Sequence, residues 1–216
     1  MLDLFDGEAP WQEPLGPGAV FLRRFASVWA PRLLKVIDRV AAQSPFRQMV
    51  TPGGHSMSVA MTSCGPLGWI SSPAGYRYAG RDPLNHRPWP AMPEVLHQLA
   101  ATAAAEAGYP GFCPDACLLN RYVPGAKLSL HQDKDEHDLH APIVSVSLGL
   151  PAIFQFGGAR RCDPLRRFLL EHGDVVVWGG PSRLWYHGIQ PLKPGHHPAT
   201  GECRYNLTFR RVAESE

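Results

Sequence analysis

The chain has 216 residues, of which 44% are hydrophobic, so it is long and apolar enough to bury a core of its own. Its formal net charge of +2 permits a nucleic-acid partner without arguing for one. The N-terminus, MLDLFDGEAPWQEP, lacks the apolar core of a signal peptide, and no apolar run approaches the roughly 20 residues of a membrane span. We therefore expect a cytoplasmic protein without a membrane partner.

The five cysteines, at positions 64, 113, 117, 162 and 203, include no CxxC pair. An odd count without paired spacing argues against a disulfide framework and against a cysteine-rich zinc site. We expect reduced thiols. Apart from the cysteines, we also expect a monomer with no obligate protein partner.

Two helices are predicted in the first half of the chain. The segment SVWAPRLLKVIDRVAAQS carries a helical stripe of apolar residues, with Ser27 as a candidate cap and Pro45 as the terminator. With this helix, residues 1–44 are predicted to form an N-terminal helical extension. The second helix, PEVLHQLAATAAAEAG, starts at Pro93 and stops at Gly108.

Residues 45–92 have a different composition, rich in Gly, Pro, Ser, Met and aromatic residues. A long irregular stretch of this kind inside a domain is usually functional, and its many apolar side chains argue against a disordered linker. We interpret it as short hairpins that form a binding lid. A packed β-extension without a ligand is the alternative.

From residue 115 onward, short β-rich runs alternate with Gly, Pro and Asp turns. About eight strands without intervening helices predict a sandwich or jelly roll. The run LLEHGDVVVW is interpreted as a hairpin that turns at Gly173-Asp174, with His172 facing solvent. We expect one domain over 1–216, in which residues 93–216 supply a helix and the jelly-roll core.

The stretch HQDKDE places His131 and Asp133 two residues apart, so in extended chain both side chains point to one face. His187 is the leading candidate for a third ligand, with His172 as its rival. Two histidines and one carboxylate are the ligand set of non-haem Fe(II) oxygenases, which leaves coordination positions open. Lys134 and Glu136 would point the other way, toward the rim or solvent.

The run RYNLTFR near the C-terminus places Arg204, Asn206, Thr208 and Arg210 on one face of a strand. Two guanidinium groups that point into a β barrel need an anionic partner, and a small dicarboxylate meets both. Asn120 and Tyr122 would add neutral donors. A diacid that chelates iron through a keto-acid end, namely 2-oxoglutarate, fits this set.

These motifs, HxD, a distal histidine and RxNxTxR, resemble those of the Fe(II)/2-oxoglutarate dioxygenases of the AlkB family, and the resemblance covers nearly the whole chain. It implies a mostly β fold with flanking helices: a double-stranded β-helix, or cupin-like jelly roll, with an N-terminal nucleotide-recognition lid. It also implies that Arg204 pairs with the distal carboxylate of 2-oxoglutarate, while Arg210 holds the end near the iron.

The resemblance further implies O2-dependent removal of methyl groups from 1-methyladenine and 3-methylcytosine, with release of formaldehyde, succinate and CO2. The expected partner is alkylated DNA, single- or double-stranded, with RNA left open. Trp69 matches the residue that stacks on the flipped base and Asp135 the acid near its exocyclic amino group. Other substrate contacts are implied at Tyr76, Arg77, Tyr78 and Arg161. His55 departs from the family pattern, since a tyrosine is expected there.

Two other functions stay open at this point. A non-catalytic cupin-like module that senses a diacid would keep Arg204 and Arg210 but would not need His131, Asp133 and His187 together. A dioxygenase that acts on protein or on a small molecule would need no base-stacking lid. The aromatic lid and the basic run from 160 to 167 favour action on nucleic acid.

Overall fold

The computed structural model describes residues 10–213, and these form a mostly β fold with two α-helices. The first half contains β1 (Trp11–Gly16), β2 (Ala19–Arg23), α1 (Ala30–Gln43), β3 (Arg47–Val50), β4 (Ser56–Cys64), β5 (Gly68–Ser72), β6 (Gly75–Ala79) and α2 (Glu94–Glu106). The second half contains β7 (Ala116–Tyr122), β8 (Leu128–His131), β9 (Ile143–Gly149), β10 (Ala152–Phe156), β11 (Arg166–Leu170), β12 (Val175–Trp178), β13 (His187–Ile189) and β14 (Arg204–Arg210). No helix within the described range is both long and apolar enough to cross a bilayer.

The strands form three antiparallel sheets. The major sheet has the order β1-β2-β12-β9-β14-β7-β4-β3, the minor sheet has the order β11-β10-β13-β8, and β5 pairs with β6 in a separate hairpin. Eight strands follow residue 115, as predicted, and they divide between the two larger sheets. This arrangement confirms the jelly-roll prediction.

Two apolar clusters explain which strand faces are buried. Helices α1 and α2 cover the outer face of the major sheet, where Leu33 and Leu96 pack with Val177 and Leu207. The second cluster fills the space between the sheets and includes Phe21, Phe154 and Trp178. Strands at the centre of the major sheet are apolar on one face and carry both apolar and polar groups on the other.

The N-terminal region differs from the helical extension that the sequence predicts. Residues 11–23 form the β1–β2 hairpin, which extends the major sheet beside β12, and only then does α1 follow. Pro14 is tolerated in β1 because this strand lies at the sheet edge. Ser27 does not cap α1, since it begins a short 3-10 turn, Ser27–Trp29.

The predicted lid also divides differently. Strands β3 and β4 belong to the major sheet, where β4 pairs with β7 along five residues. Only β5 and β6 stand apart as a two-stranded hairpin, called here the lid hairpin (68–79). Within the predicted 45–92 lid, this hairpin is therefore the part that stands apart from the major sheet.

The predicted hairpin at Gly173-Asp174 is wrong. β11 pairs with β10 in the minor sheet, whereas β12 pairs with β9 and β2 in the major sheet, so this turn crosses between the sheets. His172 is partly buried there, and its Nδ1 accepts a hydrogen bond of 2.9 Å from the backbone N–H of Gly149. His172 thus belongs to the sheet corner and is separate from the predicted metal ligands.

Candidate active site

A cavity of about 680 Å³ opens between the two larger sheets and the lid hairpin. It is large enough for a small diacid and one nucleobase together. Of the fourteen residues that the sequence predicts for the site, thirteen line it: Trp69, Tyr76, Tyr78, Asn120, Tyr122, His131, Asp133, Asp135, Arg161, His187, Arg204, Asn206 and Arg210. The exception is Arg77, which lies between two cavity-facing tyrosines on β6 and is exposed on the other face of the strand.

His131, Asp133 and His187 come together as a candidate metal centre. His131 ends β8 and His187 begins β13, and these two residues are directly opposite in the antiparallel pair. One ligand atom from each of the three side chains lies within 4.8 Å of the other two. Strand pairing therefore brings together His131 and His187, which are 56 positions apart in the sequence (187 minus 131).

Backbone carbonyls orient both imidazoles. His131 Nδ1 lies 2.9 Å from the Ser129 carbonyl and His187 Nδ1 lies 3.0 Å from the Trp185 carbonyl. The tautomer that donates to these carbonyls leaves each Nε2 available to a cation. Burial, followed by the nearby His131, lowers the pKa of His187 to about 4, so the ring is the neutral form that metals bind.

Asp133 is a buried carboxylate that is paired with Arg210. Arg210 Nη2 donates to Asp133 Oδ2 over 2.8 Å, and His131 Nε2 lies 3.6 Å from Oδ1. Burial alone would raise the pKa of Asp133, but Arg210 and the two histidines outweigh it and lower that pKa. The site thus holds an ionised carboxylate beside two imidazoles, a donor set that suits a divalent cation.

Arg204 has the unmet hydrogen-bonding capacity that an anionic ligand needs. Its guanidinium is buried, and Nη2 donates to Ser147 Oγ over 2.9 Å. Among residues 10–213, neither its Nε nor its Nη1 has a hydrogen-bond partner, and neither has the nearby Asn120 Oδ1. A buried guanidinium with two open donors is costly unless a carboxylate meets it, so the residues fit 2-oxoglutarate.

The rest of β14 also behaves as its alternation predicts. Asn206 donates to Ser145 Oγ over 2.8 Å, and Asn120 donates to Asn206 Oδ1 over 3.0 Å. Leu207 and Phe209 point to the helix-covered side. Tyr122 lies against Arg204, whose guanidinium carbon is 4.8 Å from the ring centroid. Ser145, for which the sequence suggests no role, is thereby part of the polar cavity wall.

The lid hairpin closes the cavity with aromatic rings. Trp69 stacks on Tyr76 at a centroid distance of 5.4 Å, and the Trp69 indole donates to Asp135 Oδ2 over 3.0 Å. Tyr78 donates to Glu136 Oε1 over 2.6 Å, so its hydroxyl is directed into the protein. Arg161 sits at the rim and donates to the Leu130 carbonyl over 2.8 Å.

The structure corrects the expectation for Glu136 and adds Arg183. Glu136 is buried, with 6% of its surface exposed, and is not at the rim. Arg183 donates to Glu136 Oε2 over 3.1 Å and to the Asp133 carbonyl over 2.6 Å. The alternation rule fails for Glu136 because residues 132–136 leave the strand after His131. Lys134 is exposed, as predicted.

The fold and the site together define a class of protein. A jelly roll whose interior carries two histidines and a carboxylate beside a buried arginine with open donors is the arrangement of mononuclear non-haem oxygenases that use a keto-acid co-substrate. Comparison with known proteins gives the family. The sequence model of the 2OG-Fe(II) oxygenase superfamily matches residues 18–210, and the chain belongs to this family.

Three relatives illustrate the similarity. The chain is 70% identical to the alpha-ketoglutarate-dependent dioxygenase AlkB of Salmonella typhimurium over 216 residues, which cover all of both chains. It is 31% identical to the DNA N(6)-methyladenine demethylase ALKBH1C of Arabidopsis thaliana, over 90% of this chain and 48% of the relative. A solved structure described as OsALKBH1 superposes with a TM-score of 0.82 at 31% identity, covering 93% of this chain and 99% of that one.

Proposed function

We propose that this protein is an Fe(II)- and 2-oxoglutarate-dependent dioxygenase that oxidatively demethylates alkylated bases in DNA. The observation that carries the proposal is a single cavity that contains the His131–Asp133–His187 group, Arg204 with open donors, and the aromatic lid hairpin. The similarity to an alpha-ketoglutarate-dependent dioxygenase and to a DNA demethylase supports the same activity here. 1-Methyladenine and 3-methylcytosine are the first candidate substrates.

His131, Asp133 and His187 would hold the iron and leave positions open for the other reactants. Arg204 would offer two open donors to the distal carboxylate of 2-oxoglutarate, and Arg210 would lie near its other end. Asn120, Tyr122 and Asn206 would complete the wall around the co-substrate. When bound, iron and 2-oxoglutarate supply the oxidation of the N-methyl carbon by O2, with succinate, CO2 and formaldehyde as products.

The lid hairpin and Asp135 would receive the methylated base. A base must leave the helical stack to reach the cavity, and the indole of Trp69 offers an apolar face for it. Both candidate bases carry a positive charge when methylated, and the carboxylate of Asp135 suits this charge and an exocyclic amino group. Tyr76 and Arg161 are proposed rim contacts to the nucleic acid. Tyr78 supports the hairpin, and Arg77 is proposed to reach the nucleic acid from outside the cavity.

The proposal also includes properties that do not depend on the geometry of the cavity. RNA as a substrate, the preference for single or double strands, action as a monomer without a protein partner, and work in the cytoplasm remain predictions from the sequence. The basic residues from 160 to 167 support a polyanionic partner of either kind.

The test is product formation from a single-stranded oligonucleotide that carries 1-methyladenine, with Fe(II), 2-oxoglutarate and O2. We expect formaldehyde and succinate in equal yield from the wild type and neither from Asp133→Ala. Succinate without formaldehyde would retain a dioxygenase that acts on protein or a small molecule and would remove the nucleic-acid substrate. Neither product from folded, iron-loaded protein would favour the diacid-binding module.

A further inference from the structure

Glu136 is engaged entirely by protein groups beside the candidate metal centre. Its Oε1 accepts from Tyr78 Oη over 2.6 Å and lies 3.2 Å from Arg210 Nε, while Oε2 accepts from Arg183 over 3.1 Å. A buried carboxylate that meets two guanidinium groups and a hydroxyl has most of its acceptor capacity used. Such a group is suited to holding its neighbours in place.

Arg210 is shared between Glu136 and Asp133. Its Nη2 and Nε lie 2.8 and 3.2 Å from Asp133 Oδ2, and the same Nε lies 3.2 Å from Glu136 Oε1. The guanidinium thus bridges two carboxylates instead of pairing with one. Both contacts of Arg210 to Asp133 fall on Oδ2, which also lies 3.8 Å from His187 Nε2, while Oδ1 lies 3.6 Å from His131 Nε2.

Arg183 holds the backbone of the same loop. It donates from Nη1 to the Asp133 carbonyl over 2.6 Å and from Nε to the Ala141 carbonyl over 2.9 Å. Its third contact is the ion pair with Glu136, so Glu136 braces both the side chain and the backbone of Asp133 through one arginine each. This is an outer-shell arrangement of the kind that orients metal ligands.

The four groups also balance in charge: two carboxylates, Asp133 and Glu136, face two guanidinium groups, Arg183 and Arg210. If a neutral side chain replaced Glu136, Arg210 would have Asp133 as its remaining carboxylate and would compete for it more strongly. The group would also gain one positive charge close to the cation. Both effects oppose the binding of a divalent metal.

We propose that Glu136 is a positioning residue for the metal centre, which sets the affinity for the divalent cation through Arg210 and Arg183 without touching the metal. The inference rests on the proposed role of His131, Asp133 and His187 as ligands. It is distinct from base recognition, because Glu136 is occupied by protein donors whereas its neighbour Asp135 is directed to Trp69.

The test measures Mn²⁺ affinity in metal-free protein without 2-oxoglutarate or nucleic acid, so turnover does not enter. We expect Glu136→Gln to raise the Mn²⁺ dissociation constant about tenfold, the lower end of the effect of removing such outer-shell groups. Glu136→Asp keeps the charge but shortens the side chain, so a smaller increase in the dissociation constant, below about tenfold, is expected. It also keeps the inference testable if Glu136→Gln does not fold.

Asp174→Asn is the matched control. Asp174 is also buried and pairs with Arg23 over 3.0 Å, but it lies outside the cavity. We expect Asp174→Asn and Glu136→Gln both to lower the melting temperature, and only Glu136→Gln to weaken Mn²⁺ binding. Wild-type affinity in both Glu136 variants would overturn the inference alone. Asp133→Ala, which lacks a proposed ligand, serves as the non-binding reference. If the wild type bound Mn²⁺ no better than this variant, both the metal centre and the inference would be overturned.

Discussion

Trp69 and Asp135 are joined by a hydrogen bond of 3.0 Å from the indole Nε1 to the carboxylate Oδ2. The two residues proposed to stack on the base and to recognise its amino group are therefore bound to each other. The bond engages only Oδ2, so the other carboxylate oxygen can accept from the exocyclic amino group of a base while Trp69 holds the carboxylate in place. Bases without such a donor would leave Asp135 less well satisfied.

Asp135→Asn should weaken action on cationic bases most. The change removes the charge-assisted part of the contact while it keeps a side chain of the same size. We expect kcat/KM for 1-methyladenine to fall about tenfold, the equivalent of one hydrogen bond to a charged group, with a smaller loss for the neutral 3-methylthymine. Formaldehyde release from matched oligonucleotides gives both values, and an equal loss on the two bases would argue against charge recognition.

Arg204→Lys should weaken 2-oxoglutarate binding while the metal centre stays intact. Lysine keeps the charge but loses the planar guanidinium, whose Nε and Nη1 have no partner in the described part of the chain. We expect the dissociation constant of 2-oxoglutarate in the Mn²⁺-loaded protein to rise about tenfold or more. Arg121→Lys, whose guanidinium lies over Phe46 outside the cavity, is the control and should bind as the wild type does. Unchanged affinity in Arg204→Lys would contradict the proposed carboxylate contact.

His187→Ala should abolish stabilisation by metal. A ligand present at a hundred times its dissociation constant stabilises the folded state by about 2.7 kcal/mol, which corresponds to roughly 5 °C or more in a chain of this size. We expect Mn²⁺ to raise the melting temperature of the wild type by this amount and to leave His187→Ala unchanged. His172→Asn, which removes an imidazole outside the cavity, should keep the full increase. A loss of the increase in both variants would point to a metal site at another position.

The His172–His197 pair should make the fold sensitive to acid. The rings stack at a centroid distance of 4.4 Å, and burial, followed by His197, lowers the pKa of His172 to about 4. Below its ordinary pKa of 6.5 the unfolded chain binds a proton that the folded chain does not, so stability falls as the pH drops from 6.5 toward 4. Since His172 is partly exposed, we discount the effect to about 1 kcal/mol.

The variant His172→Asn tests the contribution of His172 to this acid sensitivity. The asparagine Oδ1 can accept the hydrogen bond from the Gly149 N–H in place of the histidine Nδ1, so the contact is kept while the titratable ring is removed. Urea unfolding at pH 7 and pH 5 should show a smaller loss of unfolding free energy in the variant than in the wild type. His86→Asn, at an exposed loop position with positive φ that asparagine tolerates, should lose as much as the wild type. Equal losses in all three proteins would remove His172 from the acid response.

Much of the site follows from local sequence rules. Two-residue spacing predicts that Arg204, Asn206 and Arg210 share a face, and in the structure they line the cavity while Leu207 packs under the helices. The same rule places Arg77 on the opposite face from Tyr76 and Tyr78. The rule fails for Glu136 because the chain is no longer a strand there. Its loop is held by Arg183 and Arg210, which lie 47 and 74 positions further along the sequence (183 minus 136 and 210 minus 136).

By itself the sequence determines which kinds of binding group the site contains. These are two histidines and a carboxylate for a cation, arginines for a diacid, and aromatic residues for a flat ligand. Alternation and spacing are local properties, so they can be read without the fold. Only the tertiary structure decides that β11 and β12 lie in different sheets, that residues 11–23 extend the major sheet, and that Glu136 is buried. These outcomes depend on which distant strands and charges meet, because burial and pairing energies are properties of contacts between segments and not of any segment alone.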